Sequence, residues 1–532
     1  MRVLDRATKE KVRQAIDANI ATLRAAEGFV SAEPGFPIVD GTVRKEPAVL
    51  VFVRHKKSSN RVLPEDLVPR QIGEYPVFVM QADPLRQVMT LEDHADVAAR
   101  VTESASDLTY EKMEGNPIDA SFTVSTPILC HVGPDAGWPV LKPFIEATEK
   151  TLSVAMYDFN ADYIAKTFID TVRGGEIEAV LTWDNGMTAP ETQIRTKIRR
   201  SLKEQLDGWI VQCGNGYRFA NAYHEKVAVR DSSSFWLSSG NWSLRSQPDI
   251  DPIGDPSSAR GMYSKGNREW HVIVEDERLA KLFEKYIKYD AEGSKAEADG
   301  GDHGAVLEKP DSVQFPDLFV PIDELAMPPE LAAPPTPTAP ATLPSTPHDF
   351  DVRPLLTPDN YVGRIMELLK SAKRSIYLQF AYINYSDREG DEEFTKMLEV
   401  LAEASYRPNM DVRIIVGSSG ASDKIRALVE AGFNEKVFRP QRNIHNKGII
   451  VDGKIVLVSS ANWSSDGVIR NRDAGVIIEE PEIARYFQDV FLDDWDNRAN
   501  PRLGDDPPVT VAKDDQPTPA GMVRMSWRDY YG

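Results

Sequence analysis

The chain has 532 residues, 41% of them hydrophobic, and a formal charge of −20. That length suits about three to four domains, or one large pseudo-symmetric core with additions. The acidic balance argues against a protein that coats itself in nucleic acid or anionic lipid, so any anionic substrate needs a locally positive pocket. Cys130 and Cys213 are the only cysteines and have no metal-ligand spacing; two buried free thiols in a reducing compartment are expected. The charged N-terminus has no apolar run of the kind found in a signal peptide, and no stretch is long and apolar enough to span a bilayer, so the expectation is a cytoplasmic protein.

In chain order, residues 8–27 predict an amphipathic helix with Val12, Ile16, Ile20 and Leu23 on one face, stopped by Gly28. Residues 48–53 and 75–80 read as buried strands, separated by a basic turn in which His55 is solvated. Together they make a small α/β unit over 1–85 with no evident chemistry, followed by a connection, 86–125, carrying a predicted helix at 91–102. Residues 126–292 and 351–498 then follow parallel plans, each opening after a Pro-Asp pair (134–135 and 358–359). Helices are predicted at 142–152 and 361–372, strands at 153–158 and 375–380, and further strands at 179–183 and 412–416. Apolar strands alternating with helices argue a mainly parallel sheet covered on both faces, with a helix leading into each histidine motif described next. Residues 293–350 are a Pro-rich linker expected to stay extended, and 499–532 a Pro- and Asp-rich tail whose aromatic end could dock back on the core.

One stretch occurs twice. His224, Lys226 and Asp231 recur as His445, Lys447 and Asp452, and Asn241-Trp242-Ser243 recurs as Asn462-Trp463-Ser464, with seventeen residues from His to Asn in both copies. A lone His-x-Lys is uninformative, but two copies at identical spacing are not coincidence. Asp452-Gly453 predicts a tight hairpin after the second histidine strand. His and Lys two apart share one side of a strand, and Asn arrives on the neighbouring strand, so the three can gather around one small anion. A third piece recurs as Asn267-Arg268-Glu269 and Asn471-Arg472-Asp473. The first copy carries a seventeen-residue insertion within 245–265, either a tolerated surface loop or a gate beside the site.

These residue types fit one chemistry. A neutral imidazole can attack phosphorus to give a phosphohistidine, and a second histidine can serve as acid and then base. Lysine and asparagine donate to the non-bridging oxygens. A carboxylate on the far ring nitrogen sets each imidazole's tautomer, and Glu269 and Asp473 are placed in that role. No dense His/Asp/Glu cluster argues for a metal, and no cofactor is expected.

On these motifs the chain resembles the phospholipase D superfamily, whose signature is His-x-Lys-x4-Asp followed by Gly/Ser-x-Asn. The resemblance implies two pseudo-symmetric α/β/α sandwich lobes sharing one interface active site, with the small N-terminal α/β domain appended. It implies His224 and His445 as catalytic residues, His224 being the attacking one by family habit, and Lys226, Lys447, Asn241 and Asn462 as phosphate ligands. Asp231 and Asp452 take a structural role by the same resemblance. The implied function is cleavage, or transfer, of a phosphodiester, foremost hydrolysis of phospholipid headgroups with water or an alcohol as acceptor. Contact with a membrane would be peripheral, and no obligate protein partner is expected. Tyr223, Trp242, Tyr263 and Trp463 could line the pocket, although the two tryptophans suit lobe core better. The alternative is a metal-independent nuclease tracking DNA or RNA along Arg195, Lys197, Arg199, Arg200, Lys203, Arg439 and Arg442; a non-catalytic phosphate-binding scaffold ranks third. Lack of spanning segments makes a synthase of the cardiolipin type a poor fit. His131 and His271 read as packed structural residues, and His94, His303 and His348 as surface or linker residues.

Overall fold

The computed structural model describes residues 4–57, 62–88, 107–300, 316–322, 336–504, 507–513, 515–527 and 530. The predicted helix at 91–102, His94, His303 and the linker's Pro-rich runs up to Pro335 lie outside the described residues.

Two eight-stranded sheets dominate. In the first, the order is Leu206–Val211, Glu178–Asp184, Thr151–Met156, Lys226–Arg230, Ser234–Ser238, Glu269–Val274, Ile128–Gly133 and Ala341–Leu343. In the second it is Phe438–Gln441, Asp411–Gly417, Ser375–Phe380, Lys447–Val451, Ile455–Ser459, Ala474–Glu479, Phe350–Leu356 and Phe122–Val124. Only the first three strands of each sheet are parallel; every later pairing is antiparallel. The expectation of a mainly parallel sheet is therefore corrected. Continuous apolar strands report burial on both faces and say nothing about direction, while the hairpin after each histidine reverses the chain inside the sheet. The strands Leu206–Val211 and Phe438–Gln441 also intervene between the last outer helix and each histidine, where a helix alone was expected. The first lobe's opening helix is Gly137–Glu146, not 142–152, and ends where Thr151 begins its strand.

Both hairpin turns have two consecutive residues at positive φ, Asp231 and Ser232 in one and Asp452 and Gly453 in the other, the backbone of a type I′ turn matched to strand twist. The Asp231 carboxylate accepts from the backbone N–H groups of Glu149, Lys150 and Thr151. Asp452 does the same for Lys373, Arg374 and Ser375. The motif's aspartate thus fastens the hairpin to the start of the neighbouring strand.

The inner sheet faces and the helices Glu277–Gly300 and Pro481–Asn497 share one core, including Phe283, Tyr286, Trp270, Phe487, Phe491 and Trp495. Burying such a side chain contributes about 1.5–3 kcal/mol, so this shared core holds the lobes together. Outer helices close the far face of each sheet: Gly137–Glu146, Asp162–Gly174 and Ala189–Leu202 on one, Tyr361–Ser371, Glu392–Ala404 and Ala421–Glu430 on the other.

The lobes are also stitched across each other. Phe122–Val124, which precedes the first lobe, pairs onto Phe350–Leu356 at the edge of the second sheet. Ala341–Leu343, which precedes the second lobe, pairs onto Ile128–Gly133 at the edge of the first. The linker is therefore partly ordered: the helix Glu277–Gly300 runs into it, and it supplies two strands, Leu318–Pro321 and Ala341–Leu343. Two buried arginines repeat the crossing. Arg268 reaches Asp494 of the other lobe (2.9 Å) and Asp135 of its own (2.7 Å). Arg472 reaches Asp290 of the other lobe (2.7 Å) and Asp359 of its own (2.8 Å).

In the N-terminal unit, Asp5 caps the helix Arg6–Leu23, which lays Val12, Ile16 and Leu23 on the sheet and leaves Ile20 half-buried. A cluster of charges joins this unit to the second lobe: Arg86 and Arg426 both reach Glu33 and Asp423, and Arg426 also reaches Glu430. The tail docks as well, since Thr510–Val511 and Met522–Met525 flank Leu318–Pro321 in a three-stranded sheet.

Replacing Arg472 with methionine removes the cation from buried Asp359 and the nearer of two cations from buried Asp290, which keeps only Arg218 at 3.3 Å. Breaking a buried pair in this way costs about 3–5 kcal/mol. A clear drop in melting temperature is expected, and an unchanged melting curve would refute the assigned role of this crossing.

Candidate active site

The two repeats meet at the lobe interface and exchange partners there. His224 Nδ1 lies 2.6 Å from Asp473 Oδ1, a carboxylate of the second lobe. His445 Nδ1 lies 2.6 Å from Glu269 Oε1, a carboxylate of the first. Backbone pairing enforces the crossing: the His224 N–H donates to the Arg472 carbonyl (2.6 Å), and the His445 N–H to the Arg268 carbonyl (3.2 Å). The segments carrying the carboxylates are thus hydrogen-bonded to the segments carrying the imidazoles. Ser239 Oγ donates to Glu269 and Ser460 Oγ to Asp473, both at 2.7 Å, so each carboxylate is held from behind. Glu269 takes a further bond from Ser246 at 2.9 Å.

All of these groups are nearly inaccessible, His224 at 5% and His445 at 4% exposure. Burial sets their protonation. It pushes His224 down to about 4, helped by Lys226 and opposed by Asp473. His445 is also lowered by burial, with Glu269 pulling the other way and Lys447 adding to the fall. Burial raises Glu269, but the nearby His445 and Lys447 outweigh it and hold the carboxyl below its ordinary value. Lys226 is driven well down by burial and by Lys447. Lys447 falls to about 7 through burial, with Glu269 and Asp473 opposing. Burial thus favours the uncharged form of both imidazoles and works against the charge on both lysines.

The lysines bond back to their own motifs. Lys226 Nζ donates to the His224 carbonyl (2.8 Å). Lys447 Nζ sits 2.6 Å from the His445 carbonyl and 2.9 Å from His445 Nε2. Asn241 and Asn462 are buried in the same repeats, and each has an Oδ1 without a partner. Among the described residues no group of three or more His, Cys, Asp or Glu side chains is arranged to hold a metal ion.

A cavity of about 1600 Å³ opens on this interface, with His224, Asn462 and Asp473 in its wall. Tyr157 and Tyr382 also line it. The Tyr157 ring meets the His224 ring edge-on at 4.5 Å and lies 5.1 Å from Lys226 Nζ. Tyr223, Trp242 and Trp463 are fully buried core, and Tyr263 packs against Arg268 instead of lining the cavity. The insertion is not a loop over the cavity. Met262 and Tyr263 are buried, the Tyr263 carbonyl accepts from Asn443 of the second lobe, and Ser246 bonds Glu269, so the insertion packs on the His445 side.

The basic run leads away from the cavity. Only the first turn of the helix Ala189–Leu202 reaches the wall. Farther along, Lys197 pairs with Asp162 and Arg199 donates to the Gly208 carbonyl beside Trp183. Arg439 lies over Trp495 and donates to its carbonyl. His131 and His271 are buried and stacked on each other, His271 bonding Ser238, while His348 is exposed beside Glu480.

Sequence reasoning did not single out Ser239, Ser460, Arg268 or Arg472, although all four lie in the repeated pieces. It missed Tyr157 and Tyr382 because nothing in their spacing repeats: Tyr157 follows the first lobe's strand directly, while its counterpart is Ala381.

Two eight-stranded sheets that exchange strands, arginines and carboxylates define a bilobal protein with two crossed histidine–carboxylate pairs at its interface. Residues 365–495, within the second lobe, match the family described as cardiolipin synthase, PLD-like domain. The chain is 29% identical over 135 residues to the mitochondrial cardiolipin hydrolase of Danio rerio, covering 25% of this chain and 56% of that protein. It is 25% identical over 138 residues to a cardiolipin synthase of Staphylococcus aureus, covering 24% of this chain and 26% of that one. The chain thus spans about half, or less, of the length of these curated relatives. Among solved structures, the phosphatidylserine synthase of Haemophilus influenzae is similar at a TM-score of 0.42 and 12% identity, over 77% of this chain and 92% of that one. Within the chain, residues 365–495 carry this likeness to a phospholipase D-like domain.

An unfolded imidazole protonates near 6.5, while folded His224 does so only near 4. The unfolded chain therefore binds more protons across that window. The contribution of His224 to stability is complete above the upper value and is lost as pH falls towards the lower one. Histidine-selective NMR should show His224 neutral down to about pH 5, and Asp473→Asn should lower its titration further. A midpoint at or above the ordinary imidazole value would contradict this electrostatic picture.

Proposed function

We propose that the protein is a phosphodiesterase that works through a covalent phosphohistidine and hydrolyses phospholipid headgroups. The observation that carries the reading is the exchange of carboxylates between lobes, which presents two buried, tautomer-fixed imidazoles at one interface. His224 is the nucleophile in this reading, because it forms part of the cavity wall while His445 does not. With its Nδ1–H given to Asp473, its Nε2 lone pair attacks phosphorus. His445, its Nδ1–H given to Glu269, takes up a proton as the anion binds and hands it from Nε2 to the departing alkoxide. In the second step it removes a proton from water, which attacks the phosphohistidine and restores His224. Lys226 and Lys447 turn from their own motifs onto the non-bridging oxygens and gain charge there, and Asn241 and Asn462 donate alongside.

Several observations favour lipid over nucleic acid. The relatives above are a cardiolipin hydrolase and a cardiolipin synthase. The candidate basic stripe faces away from the cavity. The arginines that do line it are paired with carboxylates: Arg86 and Arg426 with Asp423, Arg388 with Asp466 and Arg524 with Asp317. Tracking a phosphate backbone needs unneutralised cations along the path. No described helix is long and apolar enough to cross a membrane, so a lipid would be met at its surface or as a dispersed molecule.

The test is a paired assay in chelator. Wild type and His224→Ala receive phosphatidylcholine or phosphatidylethanolamine dispersions and, separately, single- and double-stranded DNA. Headgroup release that falls by at least about 10³-fold in the variant is expected. DNA cleavage lost in the variant, with lipids untouched, would replace this reading with a nuclease. No turnover of either, nor of a small activated phosphodiester, would favour a binding protein. Activity that survives in the variant or vanishes with chelator would overturn the mechanism.

A further inference from the structure

The cavity that reaches His224 is completed by segments outside both lobes. Leu85 comes from the end of the N-terminal unit and Arg86 from the start of the connection, Asp317 from the linker, and Arg524 to Trp527 from the tail. The three segments are fastened to one another. The linker strand Leu318–Pro321 pairs with the tail strand Met522–Met525 along its whole length. Gln87, two residues beyond Leu85, donates to the Val509 carbonyl at 2.8 Å. Trp527 and Met525 pack against the small core of Leu318, Val320 and Val509.

Two features indicate what this wall meets. First, at about 1600 Å³ the cavity is larger than the roughly 300–1,000 Å³ of most small-ligand pockets and far exceeds a phosphate with a small headgroup. Second, its cations are spent locally: Arg524 pairs with Asp317 at 3.2 Å, and Arg86 with Glu33 and Asp423 at 2.7 Å. Beside Asp83 and Ser526, what remains on this wall is apolar: Leu85, Met525 and Trp527, all half-buried. Leu244, 57% exposed, and Met187 extend the apolar lining onto the first lobe.

We propose that the tail segment carrying Met525 and Trp527, set against Leu85, is the specificity wall of the site and holds the apolar body of an amphiphilic phosphodiester while His224 addresses its phosphorus. This rests on the phosphodiesterase reading above. It assigns a role to the chain's C-terminal segment and N-terminal unit, neither of which carries any part of the repeated motif.

The experiment compares full-length wild type, Trp527→Ala, Trp527→Phe and Met525→Ser on two probes. One is methyl p-nitrophenyl phosphate, which tests the chemistry alone. The other is a short-chain phosphatidylcholine below its micelle concentration, which adds the apolar body. Trp527→Ala and Met525→Ser are expected to lower kcat/KM on the lipid by about 10-fold or more, mostly through KM, and to leave the small probe within about twofold. Trp527→Phe should retain most of the lipid activity, with all melting temperatures close to wild type. Equal losses on both probes would make the wall merely structural, and no loss on either would remove it from the substrate path; both overturn the proposal. A wild type that cleaves the small probe and an oligonucleotide but not the lipid overturns it while sparing the chemistry. A wild type inert on every phosphodiester would sink the underlying function as well.

Discussion

Each imidazole borrows its carboxylate from the opposite lobe, and the site depends on that exchange. A histidine buried this deeply loses most of its hydration, and without an acceptor at Nδ1 neither its tautomer nor its ring orientation is defined. In this fold the acceptor exists only when the lobes are docked. The same backbone pairing that brings Arg472 beside His224 brings Asp473 within reach, and the same holds for Arg268, His445 and Glu269. Fold stability and the poise of the reacting groups are thus one property. A change that loosens the shared core is felt at both imidazoles, however far away it lies.

The pseudo-symmetry of the lobes does not extend to their surroundings. The His445 side is packed by the insertion, which adds Ser246 behind Glu269 and seats Tyr263 between Arg268 and Arg498. The His224 side carries the cavity, framed by the N-terminal unit and the tail. Two chemically similar histidines thereby acquire different access. The difference comes from appended segments and not from the motif, which is why the motif alone left open which histidine attacks.

Legibility in the sequence followed repetition. The spacing of His224, Lys226 and Asn241, duplicated at His445, Lys447 and Asn462, was enough to mark the candidate residues and to give the motif aspartates a structural role on their turns. Glu269 and Asp473 were placed as imidazole partners, but not which carboxylate serves which histidine, because a crossed pairing leaves no trace in spacing within a lobe. Sheet direction was misread since strands such as 447–451, buried on both faces, look alike whether they run parallel or antiparallel. The linker was read as extended from its prolines, yet Ala341–Leu343 became a strand at the edge of the first sheet and Leu318–Pro321 the central strand between two tail strands. Tyr157, Trp527 and Leu85 reach the cavity through tertiary placement alone.

The exchanged edge strands bear on how the chain is made. While a ribosome extends the first lobe, the strand Ile128–Gly133 has no neighbour on its outer side, because Ala341–Leu343 lies some two hundred residues downstream. The strand Phe122–Val124, already synthesised, must wait longer still for Phe350–Leu356. An unpaired edge is a template for wrong pairing, so the nascent first lobe spends most of its synthesis with its sheet unfinished. Completion comes only as the second lobe emerges, and assembly of the two halves is a single late event.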